Sequence, residues 1–164
     1  MKYFSLLPIV ICLISCQGLK NIEEQPQCPK DFECYTEVKD NKEINELEDT
    51  IGKTYLRLKD AKNTMVVKYV YNFKRDPKIM DDGYREVVYF QIPKDTKALE
   101  LENSELSDVK LYIQKSCFCP DGGYEQILNG KFKLKRYQNT LVLDLEFEVE
   151  KKVKLNSIQT KIEL

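Results

Sequence analysis

From Gly130 to Glu150 the chain alternates apolar and charged residues with a period of two. Leu141, Leu143, Leu145, Phe147 and Val149 are interleaved with Val142, Asp144, Glu146, Glu148 and Glu150. Before Gln138-Asn139, Phe132 and Leu134 alternate with Lys131, Lys133 and Lys135. Such a pattern fits a strand with one wet and one dry face. A two-residue loop at Gln138-Asn139 sets Leu134 against Leu143 and Phe132 against Leu145 on the dry side. On the wet side it sets Lys133 against Asp144 and Lys131 against Glu146. A one-residue slip would bring lysines against leucines, so the register is well specified. One dry face implies an antiparallel sheet packed on a core.

The rest of the chain reads the same way. Thr54–Leu58, Met65–Phe73, Tyr84–Ile92, Lys97–Leu101 and Val109–Lys115 are rich in β-branched and aromatic residues, separated by turn formers. Asp81-Asp82-Gly83 marks one turn. Asn41–Ile51, with Ile44, Leu47 and Ile51 at spacings of three and four, predicts a short helix near the start of the domain. An all-β domain of about eight short strands is expected, a single antiparallel β-sandwich first and a small closed barrel second.

The first residues carry an address rather than a fold. Lys2 gives a basic start, Leu6 to Ile14 is apolar apart from Pro8, and Leu13-Ile14-Ser15-Cys16 follows. A basic start, an apolar core and a small residue before cleavage make a secretory signal. The last four residues resemble the lipobox of bacterial lipoproteins. That resemblance implies removal of residues 1–15, acylation of Cys16, and a mature chain held to an envelope membrane by lipid. The plainer alternatives are an ordinary cleaved signal or an uncleaved leader. Residues 16–27 read as a flexible tether, because they lack the apolar mass to offset ordering entropy. Residues 28–164 are the β domain. Gln17 after the cysteine, where an Asp would favour inner-membrane retention, leans toward the outer membrane. Glu23-Glu24 is a late match to the acidic patch of surface-displayed lipoproteins, so the leaflet stays open. No later stretch approaches the ~18 apolar residues of a membrane span.

Charged residues make up 32% of the chain but nearly cancel, leaving a net charge of −1. There is no basic block for phosphate, so no nucleic-acid partner is expected. Histidine is absent. That removes the commonest general base and metal ligand, and with them Ser-His-Asp and Cys-His chemistry. A carboxylate pair for hydrolysis could be drawn from any of 27 acidic residues, which gives such a guess no content.

Of six cysteines, Cys12 leaves with the leader and Cys16 is the lipidation residue. Cys28, Cys34, Cys117 and Cys119 remain, an even number suited to disulfides in an exported protein. Extended residues i and i+2 stand about 6.6–6.8 Å apart, at the far limit of disulfide geometry. The expectation is therefore that Cys117 and Cys119 each pair with one of Cys28 and Cys34, unless Pro120 forces a sharp turn. Two other uses compete. Four thiolates could hold zinc or copper(I), although C-x5-C with C-x-C is not the usual zinc spacing. Cys117-Phe118-Cys119-Pro120 could also be an exchange-active disulfide. Asp121-Gly122-Gly123 and Asp81-Asp82-Gly83 supply too few oxygens for calcium and read as turns.

Tyr69 and Tyr71 alternate in one strand, with Tyr89 in the next and Tyr112 further on. Tyrosine suits both strand packing and interfaces, so these four form a possible binding patch. Together these readings describe a lipid-anchored envelope protein without catalytic apparatus or cofactor, binding a protein or glycan. The alternative is a thiol-redox or metal-handling protein that uses Cys117 and Cys119.

Overall fold

A computed structural model of the chain describes residues 28–75, 78 and 83–164. The leader, Cys16, the tether and the Asp81-Asp82 pair lie outside the described residues. Strands β1 (Phe32–Glu48), β2 (Thr54–Phe73), β3 (Tyr84–Pro93), β5 (Tyr112–Cys117) and β6 (Gly123–Gln126) form a five-stranded sheet in the order β1-β2-β3-β5-β6. Strands β4 (Ala98–Glu102), β7 (Asn129–Tyr137), β8 (Thr140–Glu148) and β9 (Ser157–Glu163) form a four-stranded sheet in the order β4-β7-β8-β9. All pairings are antiparallel, and neither sheet closes on itself among the described residues. The architecture is a β-sandwich, not a barrel.

The dry faces meet as the alternation requires. Val67, Val88, Phe90 and Ile113 from one sheet pack with Phe132, Leu143, Leu145 and Ile158 from the other. Phe90 and Phe132 meet edge to face at 5.2 Å between centroids. The 3-10 helix η1 (Asn103–Val109) closes one flank with Leu106 and Val109. The β7–β8 register matches the expectation at all four predicted pairs, including Leu134 with Leu143 and Lys133 with Asp144.

Two expectations are corrected. Asn41–Ile51 is not a helix; residues through Glu48 belong to β1, paired with β2. The segments expected as separate strands at Thr54–Leu58 and Met65–Phe73 are one strand, β2. A spacing of three between Ile44 and Leu47 suits a helix, but cross-strand pairing overrides that weak preference. Ile44 stands opposite Leu58 and Glu46 opposite Leu56, while Leu47 stands opposite Tyr55 on the other face.

The long hairpin bends in the middle. Asp40 pairs with Met65 but Lys42 pairs with Asp60, and Asn41 and Asn63 take φ of 54° and 64° at the break. Asparagine tolerates this left-handed region better than most residues. Beyond the bend the arm folds across the outer face of the five-stranded sheet. The Ile44 N–H donates to Gln91 Oε1 at 2.7 Å, and Lys110 Nζ donates to the Ile44 carbonyl at 2.7 Å. Ile44 is buried there against Val66 and Tyr112. The same sheet coils until β6 approaches β2, so Val70 and Val87 are buried although they point away from the sandwich core.

Candidate functional site

One end of the sandwich collects the first described residues at Cys28, the end of β2 and start of β3, the β5–β6 and β8–β9 connections, and both disulfides. The pairing expected for the cysteines is wrong. Cys28 bonds Cys34 and Cys117 bonds Cys119, with Cα separations of 5.7 and 5.2 Å. Extended geometry would hold Cys117 and Cys119 too far apart, but β5 ends at Cys117 and the chain bends through Phe118 and Cys119 into a turn at Pro120. Both bridges are therefore local. They close short loops and stabilise by about 2 kcal/mol each, less than a bridge between distant strands would.

Behind the Cys117–Cys119 turn lies a charged network inside the sandwich. Glu86 is 0% exposed on the dry side of β3. Its oxygens accept the N–H groups of Lys154 and Leu155 at 2.7 and 2.8 Å, and the Tyr84 hydroxyl also donates to it. Burial, then that bond to the carboxylate, raises the Tyr84 phenol well above its ordinary value. Lys115, buried opposite Glu86, donates to Asp121 at 2.7 Å and to the Lys152 carbonyl at 2.6 Å. The hydrogen bond from Lys115 holds the Asp121 carboxyl below the usual range. Lys154 stretches over the Tyr84 and Phe32 rings at 4.7 and 5.1 Å. Sequence reasoning missed this network, yet a signal was present. Glu86 shares strand parity with Val88, Phe90 and Ile92, and Lys115 shares it with Ile113, so each charge stands on a dry face.

At the tip, Phe118 is 90% exposed. The ligand atoms of Cys117, Cys119 and Asp121 lie within 4.8 Å of one another. To hold a metal they would need the bridge reduced and Asp121 released from Lys115, and three donors fall short of the four that zinc prefers.

A second feature runs from the four-stranded sheet to β6 of the five-stranded one. A depression of about 630 Å³ is lined by Asn103, Asn129, Asn156, Ser157, Glu146 and Glu148, among others. A neighbouring one of about 810 Å³ shares Asn129 and Glu148 and continues past Gln126, Leu128 and Glu150. Gly130 sits in the wall of the first with φ of 147°; its N–H donates to Asn103 Oδ1 at 3.3 Å. A Cβ there would lie 2.1 Å from the Glu146 carbonyl oxygen, so glycine is what lets β7 lie so close to β8 at this point. The two depressions meet in one open trough whose amides and carboxylates are interspersed with lysines and with Leu128 and Val149.

No family model, curated protein or solved structure matches this chain. The reading therefore rests on its own residues.

The four tyrosines do not form one patch. Tyr69 and Tyr71 point into the sandwich, where Tyr71 stacks on Phe32 at 4.1 Å. Tyr89 and Tyr112 lie on the opposite face of the sheet; Tyr112 is buried under the folded arm with its hydroxyl on Glu46, and Tyr89 donates to Gln114 at 2.8 Å. Tyr69 stands opposite Val88 whereas Tyr89 stands opposite Lys68, and that difference in parity sends them to different faces. No described helix is long and apolar enough to cross a membrane.

Proposed function

We propose that this chain is a lipid-anchored bacterial envelope lipoprotein, acylated at Cys16, whose β-sandwich binds a glycan without catalysing a reaction on it. The lipobox-like Leu13-Ile14-Ser15-Cys16 supports the anchor, and Gln17 favours the outer membrane. The trough that joins two depressions at Asn129 and Glu148 carries the ligand class. Sugar hydroxyls are donors and acceptors at once, and amide and carboxylate side chains match both roles. An elongated, open trough suits a chain of sugars better than a small enclosed ligand.

Two measurements test the two halves. Labelling with a palmitate analogue should mark the full chain and not Cys16→Ser; label retained by that variant removes the anchor. Calorimetric titration with soluble peptidoglycan fragments should show saturable binding. Asn129→Ala and Glu148→Gln should each weaken it roughly fivefold, as expected when a hydrogen bond worth about 1 kcal/mol is lost. No saturable binding to these or other envelope oligosaccharides would return the ligand to the protein class.

The thiol or metal-handling reading keeps one supporting observation, the closeness of Cys117, Cys119 and Asp121. Metal retained by the native chain, or ready alkylation of Cys117 and Cys119 after mild reduction, would favour it.

A further inference from the structure

We propose that the Phe118 turn and the arginine crevice beside it form a membrane-contact surface, which rests the rim of the five-stranded sheet on an anionic phospholipid bilayer. The inference depends on the lipid anchor proposed above. A phenylalanine 90% exposed on a soluble domain is costly to keep in water, and this one cannot fold away. Its turn is closed by Cys117–Cys119 and braced by the Lys115–Asp121 bond at 2.7 Å, so little conformational freedom is lost when it is buried.

Next to it, a crevice of about 540 Å³ is lined by Asn72, Arg75, Gly83, Tyr84, Arg85 and Ser116, together with the turn itself. Its two charged side chains are both arginines, whose planar forks suit phosphate oxygens. Of the described carboxylates, Glu37 feels the Arg85 charge but is bound to Lys39 and Lys68. Asp121 is held by Lys115 and Glu86 by the backbone of Lys154 and Leu155. Glu33 stands beyond Asn72, across the sheet from Arg85. An aromatic tip beside phosphate-binding groups matches the layering of a bilayer, with acyl chains beneath headgroups.

The position of the anchor decides between a lipid and a protein occupant. Cys28 bonds Cys34 at the end of the sheet where Tyr84 stands opposite Cys117. From Cys16 to Cys28 the chain can span at most about 40 Å. The domain is thereby held within that distance of the surface to which Cys16 is attached, and a contact too weak to recruit a free protein becomes occupied at that effective concentration. The trough begins at Asp121, beside this turn, and runs away from it past Asn129 to Asn103 and Ser157.

The chain has no tryptophan, so Phe118→Trp introduces a single reporter. The lipidated full chain carrying it would be reconstituted in phosphatidylethanolamine–phosphatidylglycerol vesicles, with and without brominated acyl chains. Indole emission from the Phe118→Trp chain should shift to the blue and be quenched by bromine. In a separate chain, Tyr137→Trp places the reporter at a position 60% exposed at the opposite end, and its emission should be neither shifted nor quenched. Arg75→Gln and Arg85→Gln should each weaken the contact roughly fivefold, from the lost attraction of a basic residue to an anionic leaflet. If the chain floats with the vesicles while the Phe118→Trp indole stays in water, the contact is refuted and the anchor stands. If it does not float, the anchor fails and the inference with it. Quenching at both ends would mean that the domain lies on the bilayer without a defined face, which also refutes the proposal.

Discussion

Glu86 and Lys115 stand opposite each other on the dry side of β3 and β5, and both reach the β8–β9 connection, Lys115 also binding Asp121 of the β5–β6 turn. Glu86 takes the N–H groups of Lys154 and Leu155, and Lys115 takes the carbonyl of Lys152 and the carboxylate of Asp121. The pair thus clamps the β8–β9 connection onto the five-stranded sheet and sets one side of the disulfide-bearing end.

Removing one half of the clamp leaves buried polar groups without partners, which costs more than the hydrogen bonds themselves. Glu86→Ala should destabilise the domain by about 3–5 kcal/mol. Glu86→Gln, which keeps an acceptor, should cost less. Denaturant unfolding of both variants checks the order, and an Ala variant as stable as the Gln variant would show that the clamp carries no weight.

The cysteine pairing is testable without mutation. Digestion without reductant, followed by mass spectrometry, should give Cys28 linked to Cys34 and Cys117 linked to Cys119. Peptides joining either of the first two to either of the last two would restore the arrangement expected from extended-chain geometry.

Gly130→Ala should destabilise the fold by about 3 kcal/mol, because the φ of 147° is strained for any side chain and the added carbon would meet the Glu146 carbonyl. Gly122→Ala is the comparison. Its added carbon meets nothing closer than 3.5 Å, so its melting temperature should stay near that of the parent.

Stability should fall at both pH extremes. Hydrogen bonds from Lys39, Lys42, Lys133 and Lys115 lower the carboxyl pKa values of Glu37, Asp60, Glu100 and Asp121. The folded values lie below the ordinary 4.5 for Glu and 3.8 for Asp. Their contribution is therefore complete above those values and is lost as pH falls through the folded ones. Burial raises the phenols of Tyr84, Tyr89 and Tyr112 above the ordinary 10.0. Stability from that source holds below pH 10.0 and declines as pH rises past it. Phenolate absorbance should show these three titrating only as the domain unfolds at alkaline pH. Titration of Tyr84, Tyr89 and Tyr112 before unfolding would contradict this.

Much of the architecture was legible because alternation is a local property with a global meaning. The β7–β8 hairpin declares its own register, since any slip sets Lys133 against a leucine, and Gln138 accepts the φ of 54° that its turn needs. Glu86 was legible in principle, as a carboxylate in a dry register. The folded arm was not. Ile44 and Leu47 fit a helix until β2 is present to pair with them and Val66 and Tyr112 are present to receive Ile44.

The sequence by itself determined the strand class and the wet and dry faces, since each depends only on residue types and their spacing along the chain. The tertiary structure alone decided which cysteines meet, which tyrosines are buried on which face, and where Phe118 stands. Those outcomes depend on a bend at Asn41, a turn at Pro120 and the coil of a sheet. Each of these is a small rotation in the backbone, settled by distant packing partners.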